Sequence, residues 1–153
     1  MRRLIAGLTA TSLLFLGAAC GGGDDRLTKA EFEKQGNAIC KKGNDEVQSK
    51  GNALFPENQE PDPDTLRSFL EDTAIPSIEQ QINDIDALKP PKDLQGAVDA
   101  MLAEARAALV KFKAAAQSDN PSSIFGDTDP FKKTNELAKD VGLGTCANDQ
   151  QDG

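Results

Sequence analysis

Residues 93–117 have the sequence DLQGAVDAMLAEARAALVKFKAAAQ, which is the clearest secondary-structure signal in the chain. Apolar residues recur in it every three or four positions, at Leu94, Val98, Met101, Ala105, Leu109 and Phe112. This spacing places them on one face of an α-helix, and the alanines between them favour that conformation. The stretch therefore predicts a long helix that buries one face against other parts of the chain.

A second helical pattern lies just before this helix, over residues 63–88. Asp62-Pro63 suits a helix start, because Asp can cap the first turn and Pro fits the first helical position. Pro76 interrupts the apolar residues that follow at helical spacing, which are Leu66, Phe69, Leu70, Ile78, Ile82, Ile85 and Leu88. Because proline breaks helical hydrogen bonding, we expect one long helix kinked near Pro76 or two helices in tandem. Pro90-Pro91 ends this segment.

The first helix of the domain is predicted to begin at Thr28. Thr28 and Glu31 have the spacing of a capping box, and Leu27 can form a hydrophobic staple with Phe32. The buried stripe that follows contains Phe32, Gly36, Ile39, Cys40, Gly43 and Val47. Residues 51–62 are interpreted as a loop, from which Leu54 and Phe55 fold onto the core.

The last helix is predicted to follow a polar loop that contains one turn around Ile124-Phe125. Asp129-Pro130 repeats the start signal, and the apolar face comprises Phe131, Thr134, Leu137, Ala138 and Val141. Gly142 is expected to end the helix in the left-handed conformation, with Leu143 folding back. No alternating pattern predicts a strand. The prediction is an all-α domain over residues 27–147, a roughly four-helix bundle, followed by a disordered tail at 148–153.

The start of the chain has the features of a secretory signal. Arg2 and Arg3 are followed by an uncharged run from Leu4 to Ala19, which is too short and wrongly flanked for a convincing transmembrane helix. The run ends in Leu16-Gly17-Ala18-Ala19-Cys20 and is followed by three glycines. Residues 1–19 are therefore predicted to be a signal peptide. An ordinary signal peptide, with Cys20 incidental, is the alternative.

The residues around Cys20 resemble the lipobox of bacterial lipoproteins, although Gly17 stands where leucine is commonest. The resemblance implies that the Cys20 thiol receives a diacylglyceryl group, and two acyl chains anchor a protein stably. Residues 20–26 are then a lipidated cysteine with a flexible tether, about 20 Å long when extended. We expect a membrane-anchored domain on the extracytoplasmic face of the cell membrane.

The charge of the chain bears on its partners. Removing residues 1–19 takes away Arg2 and Arg3 but no acidic residue, so the net charge changes from −8 to −10. Anionic headgroups and nucleic acid repel such a domain, and we expect no nucleic-acid partner. The charge instead favours a soluble domain that stands off the membrane.

The three cysteines fit one lipidation site and one disulfide. With Cys20 acylated, Cys40 and Cys146 remain as an even pair in an exported protein. A bond between them closes a loop of about 100 residues, which contributes about 4–5 kcal/mol in the chain-entropy model. Two separate buried thiols are the alternative.

Several short segments together resemble small bacterial lipoproteins of an uncharacterised helical family. Beside the lipobox, these segments are Ala38-Ile39-Cys40, Ile75-Pro76-Ser77-Ile78, Leu88-Lys89-Pro90-Pro91 and Gly142-Leu143-Gly144-Thr145-Cys146. The resemblance covers most of the chain. It implies membrane anchoring and a helical, disulfide-linked domain, and it provides no catalytic residue.

Catalytic signals are sparse. The chain contains no histidine, which excludes Ser-His-Asp systems, His-ligated zinc and Glu-x-x-His di-iron sites. Carboxylates such as Glu79 with Asp84 or Asp86, and Asp99 with Glu104, are interpreted as solvated helix faces. We expect no catalytic residue, metal or cofactor.

Two further patterns have structural interpretations. Asp62-Pro63-Asp64 and Asp127-Thr128-Asp129 lack the EF-hand pattern, and helix capping by Asp62 and Asp129 explains them without calcium. Met101 and Phe112 are interpreted as core residues. A possible basic spot on the surface comprises Lys111, Lys113, Lys132 and Lys133.

Three functions stay open from the sequence. The first is a non-catalytic module that binds another protein of the cell envelope. The second is a binder of a small apolar ligand or lipid between the helices, where Gly36, Gly43 and Ala105 could leave space. The third is an enzyme that uses carboxylates alone.

Overall fold

Five α-helices form most of the computed structural model, which describes residues 25–54, 62–125 and 129–147. They are α1 (Lys29–Leu54), α2 (Pro63–Phe69), α3 (Ile75–Asp86), α4 (Lys92–Ala116) and α5 (Lys132–Asp140). A π-helical turn, Leu70–Ala74, joins α2 to α3, and 3-10 turns lie at Pro121–Phe125 and Gly144–Ala147. Because α2 and α3 form one continuous rod, the all-α bundle of about four helices is confirmed. These ranges contain no strand.

The π turn explains how one helix passes Pro76. The backbone N–H of Ile75 donates to Leu70 O, five residues earlier, instead of four. Proline has no N–H, and its ring collides with the carbonyl four residues before it in an ordinary α-helix. The extra residue in the turn changes the register of the hydrogen bonds ahead of Pro76, so the helix continues through α3 to Asp86.

The predicted start of α1 is confirmed. The Thr28 N–H donates to Glu31 Oε2 at 2.9 Å, and the Glu31 N–H donates to Thr28 Oγ1 at 3.3 Å. The hydrogen bond from the Thr28 hydroxyl, followed by that from its backbone N–H, holds the pKa of Glu31 below its ordinary value of 4.5. Leu27 packs against the core cluster that contains Phe32.

The end of α1 differs from the prediction. Residues 51–54, expected in a loop, form the last turn of the helix. This turn lies close to Phe69, since a Cβ at Gly51 would be in ordinary van der Waals contact with the ring, 3.4 Å from it. Leu54, expected on the core, is 48% exposed. Phe55 lies outside the described residues.

The core lies along the predicted face of α4. Val98, Met101, Ala105 and Leu109 are buried there, while Leu94 and Phe112 are partly buried against the same cluster. Val110 points away from this face and is 69% exposed. Among the described residues, the core cluster extends along the chain from Leu27 to Ala147.

The chain beyond α5 forms a strap, residues 142–147, that crosses α1. Gly142 has φ +83°, and the Leu143 N–H donates to Ala138 O at 2.8 Å, as predicted for a left-handed helix cap. Leu143 is fully buried. The start of α5 is later than Asp129-Pro130 suggests, because Asp129 Oδ1 accepts the Phe131 N–H in a turn that precedes Lys132.

A disulfide and a set of amide hydrogen bonds fix the strap to α1. Cys40 and Cys146 are bonded, with their Cα atoms 5.0 Å apart. Asn37 accepts the Thr145 N–H at 2.9 Å and donates to Gly142 O at 2.9 Å. Asn44 donates to Thr145 O at 3.1 Å. The predicted pairing of the two cysteines is thereby confirmed.

The N-terminal end of the described chain lies against the turn between α3 and α4. Arg26 Nη1 donates to Pro90 O at 2.9 Å and to Gln95 Oε1 at 2.6 Å. The predicted signal peptide, Cys20, the first part of the tether and the tail at 148–153 lie outside the described residues. Among the helices that are described, none has the length and apolarity required to cross a membrane.

Candidate functional site

An apolar cavity of about 520 Å³ lies between α1, α3, α4 and α5, and we call it the inter-helix cavity. The α1 wall includes Cys40 and Val47, and the α4 wall includes Met101 and Phe112. The other apolar residues that line it are Phe69, Leu70, Ala74, Ile78, Ile82, Ile85, Leu102, Ala105, Ile124, Phe131 and Ala138. The cavity is bounded by four helices and remains partly open to solvent.

Small side chains account for the space. Ala74, Ala105 and Ala138 come from three different elements and line the same cavity. Larger residues at these positions would extend into it. Ala74 also lies in the π turn, and π turns inside α-helices occur frequently at functional sites.

The glycines contribute less to this space than the sequence suggested. A Cβ on Gly36 would lie 2.5 Å from Leu143 Cδ2, and a Cβ on Gly43 would lie 2.3 Å from Gln81 Nε2. Other side chains therefore already occupy the space beside both glycines. Of the three small residues that we predicted to leave room, Ala105 alone lines the inter-helix cavity.

Polar groups lie at two sides of the cavity. Asn44, Gln48 and Gln81 belong to the α1 and α3 walls, and Thr134 and Asn135 belong to α5. Within the described residues, the buried Thr134 hydroxyl has no hydrogen-bond partner. Burial of a polar atom without a partner is costly and uncommon in native structures. The α5 wall thus contains a buried polar atom whose hydrogen-bonding capacity is unused.

A shallower depression of about 510 Å³ adjoins the inter-helix cavity, because Ile124 and Asp129 line both. We call it the lysine-lined depression. Its charged residues are Glu104, Lys111, Asp129, Lys132, Lys133 and Glu136. Three of the four lysines of the predicted basic spot therefore meet here. Lys113 instead forms an ion pair with Glu79.

Four of the five carboxylates considered as candidate acids or bases have structural partners. Asp86 forms an ion pair with Arg106 at 2.9 Å, and Glu79 pairs with Lys113. Asp84 accepts a hydrogen bond from Gln80 at 2.6 Å, and Asp99 accepts one from Gln95 at 2.8 Å. These contacts join neighbouring helices or successive turns of one helix.

No metal centre is found in residues 25–54, 62–125 and 129–147, where no three Cys, Asp or Glu side chains are grouped suitably. Asp62 caps α2 by accepting the Thr65 N–H at 3.0 Å, as predicted. The Asp129 carboxylate accepts the Phe131 N–H in the turn before α5. Asp127 lies outside the described residues.

The sequence predicted several residues of the cavity wall, but it predicted them as packed core residues. Met101 and Phe112 were interpreted as core, and both are also wall residues. Ala74 and Asn135 were not singled out, and Ala138 was predicted on the apolar face of the last helix but not as a cavity residue. The signal available for them is the occurrence of small residues on apolar helix faces, which many fully packed bundles share.

The chain matches no protein-family model, and comparisons with curated proteins and with solved structures find no significant similarity.

Proposed function

We propose that the mature chain is a lipoprotein, held on the extracytoplasmic face of the cell membrane by acyl chains on Cys20. We further propose that its helical domain binds a small apolar ligand in the inter-helix cavity. The membrane anchor is supported by the sequence from Arg2 to Cys20. The binding role depends on one structural observation, the cavity itself.

The size and lining of the cavity support ligand binding. Ligand pockets commonly have volumes of about 300–1,000 Å³ and mainly apolar walls, with a few polar groups that orient the ligand. The inter-helix cavity has about 520 Å³. Its aliphatic and aromatic walls, with amides at one side and the α5 polar groups at another, match this description.

A protein-docking role has less support from the described surface. Leu54 and Val110 are its exposed large hydrophobic residues, and they lie on different helices. Single exposed hydrophobic residues are normal, whereas docking sites usually present contiguous apolar patches. A module that binds another envelope protein, which the sequence also favoured, stays a prediction.

We assign no catalytic step to the domain. The chain lacks histidine, and four of the five candidate carboxylates make the structural contacts described above. Binding without chemistry requires only the cavity and access to it.

Acylation is tested by metabolic labelling with a radioactive fatty acid in the bacterial host. We expect the wild-type chain to incorporate the label and Cys20→Ser to lose it, because no other thiol follows the signal run directly. The double variant Cys40→Ala/Cys146→Ala is the matched control and should keep the label. Label retained by Cys20→Ser would contradict the lipoprotein assignment.

Ligand binding is tested with the chain from Gly21 onward and the neutral fluorescent probe N-phenyl-1-naphthylamine. We expect saturable binding, and a loss of affinity of at least about tenfold in Ala105→Phe. The larger side chain would enter the open cavity instead of displacing packed neighbours. The melting temperature of Ala105→Phe should therefore stay close to that of wild type, whereas overpacking a filled core lowers it.

Ala103→Phe is the control, because Ala103 is exposed on the same helix and lines neither cavity. Equal binding by Ala105→Phe and wild type would reject this binding site. Absence of saturable binding by the wild-type domain would reject the proposed ligand class.

A further inference from the structure

We infer that the ligand is a single-chain amphiphile with an anionic headgroup. Its apolar tail occupies the inter-helix cavity, and its headgroup lies in the lysine-lined depression beside Lys111 and Lys132. This inference rests on the proposed function, and it adds the chemical class of the ligand and a second subsite.

Ile124 and Asp129 line both cavities, and an aromatic pair of the inter-helix cavity is adjacent in sequence to two lysines of the depression. The rings of Phe112 and Phe131 meet edge to face, with centroids 5.7 Å apart. Both rings line the inter-helix cavity, and a neighbouring residue of each, Lys111 before Phe112 and Lys132 after Phe131, lines the depression. At two positions, therefore, an aromatic residue of the inter-helix cavity is adjacent in sequence to a lysine of the depression.

This arrangement fits a molecule that is itself divided into an apolar and a charged part. An alkyl chain in the inter-helix cavity contacts hydrocarbon walls, and burial of apolar area stabilises it at roughly 25 cal/mol per Å². A carboxylate or phosphate attached to that chain would be costly to bury there. The adjoining depression places this group next to ammonium groups and solvent.

Two lysines of the depression, Lys111 and Lys132, are placed to pair with a negative headgroup. Lys133 forms an ion pair with Glu136 at 3.4 Å, and the Asp129 carboxylate accepts the Phe131 N–H. Within the described residues, Lys111 and Lys132 form no ion pair. Glu104 and Asp129 also line the depression, so its three lysines are balanced by three carboxylates. A negative headgroup would therefore be bound by direct contact with Lys111 and Lys132 and not by a net positive charge.

The local lysines are notable because the mature protein is acidic. With a net charge of −10 after removal of residues 1–19, the protein as a whole repels anions at long range. Lys111 and Lys132 can therefore attract an anionic headgroup only at short range. Its contribution should decrease with salt, since a Debye length is about 8–10 Å at moderate ionic strength.

The test compares laurate with dodecanol, which share a chain length and differ in headgroup charge. Each ligand displaces N-phenyl-1-naphthylamine from the chain beginning at Gly21, below its aggregation concentration. We expect laurate to bind about fivefold more tightly than dodecanol, as two partly exposed ion pairs allow. Lys111→Gln/Lys132→Gln should remove this preference and leave the affinity for dodecanol unchanged.

The control is Lys34→Gln/Lys42→Gln, which removes two exposed lysines of α1 that line neither cavity. It should retain the preference for laurate, which excludes a general effect of net charge. Equal affinities of wild type for laurate and dodecanol would overturn the headgroup inference and leave the proposed function standing. Failure of the probe and both ligands to bind wild type would overturn both.

Discussion

The variant Cys40→Ala/Cys146→Ala should lose about 4–5 kcal/mol of its free energy of unfolding. The disulfide joins residues separated by 106 positions, so its removal restores a large amount of conformational freedom to the unfolded chain. Domains of this size have total stabilities of about 5–15 kcal/mol. The melting temperature should therefore fall by roughly 15 °C.

Urea unfolding followed by circular dichroism measures this loss. Wild type should approach the variant when a reducing agent is added, and the variant itself should not respond to the reagent. A loss below about 1 kcal/mol would contradict the expectation. It would indicate that the hydrogen bonds of Asn37 and Asn44 hold the strap in place without the covalent bond.

Leu143→Ala should destabilise the domain by about 2–5 kcal/mol. Leu143 is fully buried, and it occupies the space that Gly36 leaves open on α1. Truncation removes apolar contacts and leaves a void between α1 and the strap. The same urea titration provides the measurement, with Leu54→Ala as the control, because Leu54 is 48% exposed.

A double-mutant cycle with Gly36→Ala tests the contact directly. Alone, Gly36→Ala should cost about 1–3 kcal/mol, because the new Cβ would lie 2.5 Å from Leu143 Cδ2. In the Leu143→Ala background the methyl group enters vacated space, so the combined loss should be smaller than the sum. Additive losses would show that Leu143 and Gly36 do not share this space.

Local sequence features predicted those parts of the fold that depend on neighbouring residues. The helical period of residues 93–117, the Thr28–Glu31 capping box and the Gly142 cap each involve a few successive positions. Cysteine counting also predicted the bond between Cys40 and Cys146, because the assignment of Cys20 to lipidation left one pair.

The features that the sequence did not predict depend on distant contacts. The last turn of α1 lies against Phe69, and no local signal at Gly51 reveals that partner. Leu143 fills the space beside Gly36, whereas no side chain fills the space beside Ala105. Periodicity identifies a buried face, but it does not determine how well opposing faces fill the volume between them.

If Cys20 is acylated as we propose, the contact of Arg26 with Pro90 and Gln95 places the lipid tether at the end of the bundle where α3 meets α4. On α1 the cavity wall begins at Cys40, about 16 Å along the helix axis from Lys29. On α3, however, Ile85 lines the cavity only five residues before Pro90. The proposed anchor would thus hold this end of the domain within one tether length, about 20 Å, of the bilayer.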